Sequence, residues 1–189
     1  MKPIPSFGHP VHEFIQRRWS PMAFDPGLLG REAVLSLFEA ARWAASANNG
    51  QPWRFVWSER DGSERHAKLV SCLKPGNDVW APLAPLLILT VVRTTRERDG
   101  APHPWARYDL GLAMGNLTAQ ASSMDLYVHN MAGFVAEKAQ ELFALPPDFE
   151  AVTMVAVGRL GDPASLPEKL RAREEAERSR KPLEELFLP

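Results

Sequence analysis

Residues 85–94 read PLLILTVVRT, a nearly continuous run of apolar and β-branched side chains. A strand exposed on one face alternates apolar with polar. A run without alternation suits a strand buried on both faces. Residues 150–160, EAVTMVAVGRL, repeat that character. Residues 53–59 read as a further strand closed by Asp61-Gly62, and residues 126–131 as a fourth. Between them lie helical patterns at 11–18, 31–45, 63–73, 104–124, 134–143 and 166–177. The pattern at 31–45 places Val34, Leu37, Phe38, Ala41 and Ala45 on one stripe. That at 104–124 places Ala106, Leu110, Ala113, Leu117, Ala121 and Met124 on another. Strands and helices mix without strict alternation, so the class expected is α+β.

The chain has 189 residues, 45% of them apolar and 24% charged, an ordinary globular composition for one domain over 1–189. Residues 1–10 are proline-rich and expected to be irregular. Residues 178–189 form a C-terminal arm whose Leu183, Leu186 and Phe187 need a surface to cover them. A net charge of −1 gives no electrostatic case for nucleic acid or for an anionic membrane. The single cysteine, Cys72, excludes an internal disulfide, and the N-terminus has no apolar core of a leader, so a reducing cytoplasm is the expected location. Gly111 and Gly115 interrupt the longest helix at about 1 kcal/mol each relative to Ala. Their gain is close approach by another backbone, from within the domain or from a partner subunit.

Two basic clusters stand at opposite ends of the chain, Arg17-Arg18-Trp19-Ser20 and Arg178-Ser179-Arg180-Lys181. Guanidinium forks beside a hydroxyl suit a phosphate monoester. Arginines at helix ends also sit solvated or offset the helix dipole. The connection ASANNGQPWRF, residues 45–55, carries more side-chain hydrogen-bonding groups than a turn needs. The five histidines show no zinc spacing, and no GxGxxG, GxxxxGK[ST] or GxSxG occurs. Cys72 reads as a core residue rather than a nucleophile.

RRWSPMAF, AARWAASANNGQPWRF, NMAGF and RSRKPLEEL, in that order, resemble the nitroreductase family of FMN-dependent oxidoreductases, with YDLGLAMGNLTAQA, GNDVWAPLAPLLIL and AVGRLGDP as further matches. The resemblance implies an α+β sandwich with a central, mainly antiparallel sheet flanked by helices. It implies a homodimer with exchanged C-terminal arms and an FMN in each interface cleft. Arg18, Trp19 and Ser20 match the family's Arg-x-Ser at the phosphate and ribityl end. Arg178 and Arg180 match the C-terminal basic pair on that phosphate, so cationic groups from both ends are expected to converge across two chains. Ser46, Ala47 and Asn49 match the loop that meets the flavin from the other subunit. Asn77 matches an amide facing the pyrimidine edge, although a helix-start cap is an equal reading of it. Gly133 matches a backbone N–H near flavin N5 and O4, where a side chain would block the ring.

Two departures stand out. Where the family usually has Lys or Arg near flavin N1, this chain has Met22; where many members have Pro before the loop serine, it has Ala45. The activity implied is passage of electrons from NAD(P)H to a nitroaromatic, quinone or similar electron-poor small molecule. The flavin carries the chemistry, and no side chain acts as acid or base. The other readings are an FMN store or sensor with little turnover, which Met22 favours, and a flavin-free interaction protein.

Overall fold

The structure, a computed structural model, describes residues 2–188. Met1 and Pro189, the outer ends of the irregular N-terminus and of the arm, lie outside the described residues. The apolar run becomes β2 (Leu86–Arg93), one of two inner strands of a four-stranded sheet. Its neighbours are β1 (Trp53–Glu59) and β4 (Phe149–Gly158), and β3 (Tyr127–Met131) lies outside β4. Every pairing is antiparallel.

Alternation along β2 assigns its side chains to two cores. Leu86, Ile88 and Val92 face α2 (Arg31–Arg42) and α4 (Ala106–Ser123), meeting Val34, Leu37, Leu110, Ala113 and Leu117. Leu87, Leu89 and Val91 face the layer of α3 (Glu64–Ser71) and α5 (Ala136–Leu142), among Leu69, Cys72, Trp80 and Ala139. Both faces of the sheet are therefore covered, which is why β2 shows no polar alternation. The fold is α+β, as expected from the sequence. Cys72 is fully buried, and burial pushes its thiol up from the ordinary cysteine value.

A bulge breaks the β2–β4 register. Thr90 pairs with Thr153 and Val91 with Ala151, leaving Val152 as the extra residue. The buried Thr90 hydroxyl accepts the Thr153 N–H at 3.0 Å and lies 2.8 Å from the Thr153 hydroxyl, so the disrupted ladder keeps its hydrogen bonds.

Element ends differ from the periodicity for local reasons. The second helix stops at Arg42, because Trp43 turns out of helical geometry and the chain enters a strained connection at 46–51. The first helix shortens to Glu13–Arg17 with the His12 imidazole accepting from the Phe14 N–H. Phe134 is not helical but bridges Leu73, so α5 starts at Ala136. The last helix, α6 (Glu168–Glu175), is shorter at both ends than the charged pattern. Beyond Gly158, Leu160 bridges Phe24, and a Cβ on Gly161 would fall 2.5 Å from the Phe24 backbone. That close approach ties the segment after Arg18 to the end of β4.

Candidate functional site

The two basic clusters meet within one chain. Arg18, Arg178, Ser179, Arg180 and Lys181 line a cleft of about 540 Å³ walled by Pro5, Phe7, Ile15, Leu183 and Leu186. Convergence across two chains was expected; the single subunit already brings the clusters together, because the C-terminal segment folds back on its own N-terminus. No carboxylate lies among the lining residues. Burial pushes the Arg18 guanidinium below its ordinary value, and the nearby Arg180 and Arg178 push it the same way. The cleft thus concentrates positive charge; Lys181 has Glu185 at 3.8 Å behind it, while Arg18 and Arg180 have no carboxylate partner.

The individual side chains take different roles. Arg18 Nη1 lies 3.5 Å from Ser20 Oγ, and Ser20 is exposed. Arg180 is exposed, with only a local bond from Nη1 to the Ser179 carbonyl at 2.7 Å. Arg17 turns away and pairs with Asp125. The Trp19 indole does not share the cleft. It is buried in the α3/α5 core, edge-on to Tyr127 at 6.2 Å, and its N–H has no partner. Successive residues point opposite ways here, so Arg18 and Ser20 look outward and Trp19 inward. Arg178 lines the cleft, yet its guanidinium is committed to carbonyls: Nη1 donates to Gln16 at 2.7 Å and Arg18 at 3.1 Å, and Nη2 to Pro3 at 2.9 Å.

Asn77 and Gly133, 56 positions apart, come together. Asn77 Nδ2 donates to the Gly133 carbonyl at 3.0 Å, and a Cβ on Gly133 would sit 2.6 Å from that nitrogen. The side chain is therefore not a helix-start cap; it buttresses Gly133. Gly133→Ala should displace Asn77 and lose a bond contributing about 1 kcal/mol. A fall of a few degrees in melting temperature, with Asn77→Ala adding little in the alanine background, is the expected double-mutant result.

Met22 is buried in the α3/α5 core, so no cation extends from position 22. Its N–H donates to Glu174 Oε2 at 2.9 Å, and the Ala23 N–H to Oε1 at 3.3 Å. Glu174 is only 3% exposed. Burial raises its pKa above the ordinary carboxylate range; these two N–H groups and the Lys2 charge oppose the rise without cancelling it. The folded state therefore favours the protonated form, and that stabilisation is lost as pH rises through the raised pKa. As pH rises from about 4.3 through the raised pKa, wild type should lose stability relative to Glu174→Gln. Parallel pH–melting curves would overturn this.

The loop of Ser46, Ala47 and Asn49 is not brought to the arginine cleft. Ala47 and Asn49, but not Ser46, line a separate hollow of about 330 Å³ with Arg96, Arg98, His103 and Trp105. Asn48, Asn49 and Gln51 all have positive φ, a costly backbone for non-glycine residues. Asp109, 2% exposed, holds it by accepting the Ala47 N–H at 3.1 Å, and Ser46 Oγ accepts the Gln51 N–H at 3.1 Å. Periodicity places Asp109 on α4 but gives no sign that it braces this loop.

A second groove of about 510 Å³ runs along α4, lined by Ile15, Arg18, Gly111, Gly115, Asn130 and Val152 among others. It shares Ile15 and Arg18 with the arginine cleft, so the two adjoin. Nothing lies within 4 Å of a Cβ built on Gly111 or Gly115. Close packing inside the domain therefore does not explain them. Among the described residues there is no metal-binding cluster, and no helix is long and apolar enough to cross a membrane.

The nitroreductase family model matches residues 15–85, which include Arg18, the 46–49 loop and Asn77. An uncharacterized 15.4 kDa protein of Mycolicibacterium smegmatis is 34% identical over 140 residues, covering 70% of this chain and 92% of that protein. A solved oxidoreductase containing FMN is 33% identical, with a TM-score of 0.91 over 97% of this chain and 93% of its own. The chain belongs to the nitroreductase family. As a nitroreductase-family protein it is an oxidoreductase. The major NAD(P)H-flavin oxidoreductase of Aliivibrio fischeri is 33% identical over 58 residues, 30% of this chain and 27% of that enzyme.

Proposed function

We propose that this nitroreductase-family protein is an FMN-dependent oxidoreductase that works as a homodimer. It takes electrons from NAD(P)H and delivers them to a nitroaromatic, a quinone or another electron-poor small molecule, in the cytoplasm. The observation that carries the reading is the cleft in which Arg18 and Arg180 converge with no carboxylate among the lining residues, Ser20 lying 3.5 Å from Arg18. That donor set fits a phosphate dianion. The 33% identity to an oxidoreductase containing FMN supports FMN as its bearer.

Bound FMN would supply hydride acceptance and release at its ring. The chain's own residues hold and shape. Arg18 and Arg180 would grip the phosphate through charge-assisted bonds, with Ser20 and Ser179 as hydroxyl partners. Asn77 and Gly133 would face the ring as a pair, the missing Cβ of Gly133 letting the Asn77 amide sit against its backbone. The strained 46–49 loop lies away from the cleft of its own chain, so it would serve the site of a second copy. The open groove at Gly111 and Gly115 and the exposed Leu183, Leu186, Phe187 and Leu188 are surfaces suited to that copy. No side chain need transfer a proton.

The test is the spectrum of freshly purified protein before and after anaerobic NAD(P)H. Flavin absorbance that bleaches with nicotinamide and returns with a quinone supports the reading. A colourless protein that takes up no added FMN ends it. Tight FMN that neither nicotinamide reduces would favour the store, whose support is the missing cation at Met22.

A further inference from the structure

We propose that Arg178 and Glu174 are positioning residues that latch the C-terminal segment to the N-terminal segment of the same chain, Arg178 shaping the anion cleft by fixing Arg18 rather than by touching the anion. The part concerning the anion rests on the FMN reading above.

Donor supply decides which guanidinium can hold the anion. A guanidinium has five N–H groups and two edges that can hold an anion with paired bonds. The Nη1/Nη2 edge of Arg178 is occupied by the carbonyls of Gln16, Arg18 and Pro3. The other edge needs Nε, which is buried and without a partner. The first edge is filled and the second is closed to the cleft by the burial of Nε, so neither is open to a phosphate. Arg18 and Arg180 keep their forks, holding only one long contact to Ser20 and one local carbonyl.

The carbonyls that Arg178 takes are informative. Gln16 lies in the last turn of α1 (Glu13–Arg17), and Arg18 is the residue that ends it. Carbonyls at a helix end lack intrahelical partners, and an arginine is a suitable donor to them. Arg178 thereby sets the backbone from which the Arg18 side chain reaches the cleft. Four residues earlier, Glu174 takes the N–H groups of Met22 and Ala23. Lys2 Nζ donates to the Arg173 carbonyl at 3.3 Å. Segments 2–3, 16–18 and 22–23 are thus all tied to residues 173–178. These ties are polar and directional, made by the end of α6 and the segment just after it, where α6 itself buries little apolar surface beyond Leu170. They specify a single docking of the two ends, which a featureless apolar contact would not.

Two measurements on the full chain test this. The first is a double-mutant cycle of Arg18→Ala and Arg178→Ala, read as the ratio of riboflavin to FMN dissociation constants, which isolates the phosphate. Arg178→Ala alone should lower that ratio by about tenfold; in the Arg18→Ala background it should change it less than about twofold. Equal effects in both backgrounds would make Arg178 an independent phosphate ligand and overturn the proposal. Should the alanine variant fail to fold, Arg178→Lys replaces it. A lysine is a competent point charge for phosphate, but its shorter, compact ammonium does not reproduce the planar fork that spans the three carbonyls. A lowered ratio supports positioning, and an unchanged one overturns it. The second measurement needs no flavin. In the apo protein, Glu174→Ala should speed amide exchange of Met22 and Ala23 at least tenfold, whereas unchanged exchange would overturn the latch. If wild type binds no flavin, the function proposed above fails while the exchange result still decides the latch.

Discussion

Replacing Arg18 and Arg180 together by alanine is expected to weaken FMN binding by two to four orders of magnitude. A hydrogen bond to a charged group contributes about 1.5–3 kcal/mol. Two such donors removed together therefore give about 3–6 kcal/mol, and every 1.4 kcal/mol is tenfold. The cleft has no carboxylate whose release from pairing would offset the loss. Riboflavin, which lacks the phosphate, should bind the variant and the wild type with nearly equal affinity. Fluorescence titration of apo protein with both ligands reads the difference. Equal FMN affinity in variant and wild type would remove the arginines from the phosphate site.

For the homodimer proposed above, deleting residues 183–189 should raise the dissociation constant by at least about 100-fold. The deletion spares Arg178, Arg180 and Lys181 but takes Leu183 and Leu186 from the cleft wall, so dimer dissociation rather than flavin affinity is its primary readout. Leu186 is 66% exposed, Phe187 69% and Leu188 92%, an unusual run of apolar surface in one chain. Each such side chain contributes about 1.5–3 kcal/mol when fully buried. Even after the ordering costs of association, a net loss of about 3 kcal/mol is expected, which is the 100-fold. Sedimentation at micromolar concentration checks it. A truncated chain as dimeric as the full one would locate the interface elsewhere. Flavin retention should fall together with the dimer if the 46–49 loop acts on the neighbouring site; flavin held by monomers would sever that link.

Much of the fold was legible because its signals are local. The unbroken apolar run of β2 required cover on both faces, and both cores are there. Asp61 and Gly62 close β1 as turn residues do, and the Ser63 hydroxyl caps α3 by accepting the His66 N–H at 3.2 Å. The helix ends were less legible. That α2 stops at Arg42 is set by the strained loop after it, and the loop is set by Asp109, 62 positions from the Ala47 amide it holds.

At the candidate site, residue types were legible and their employment was not. Arginine clusters flanked by serine announce anion chemistry, and the sequence placed them correctly at the two ends of the chain. It could not say that Trp19 turns inward, that Arg178 spends its donors on carbonyls, or that the clusters close within one chain. The sequence by itself determined the strands, the helices, the family and the cationic character of the cleft, because those follow from side-chain identity and short-range periodicity. Tertiary structure alone decided which guanidinium is free. The partners of Arg178 are main-chain carbonyls, one of them 160 positions away, and a carbonyl is the same at every residue, so no pattern of side chains encodes it.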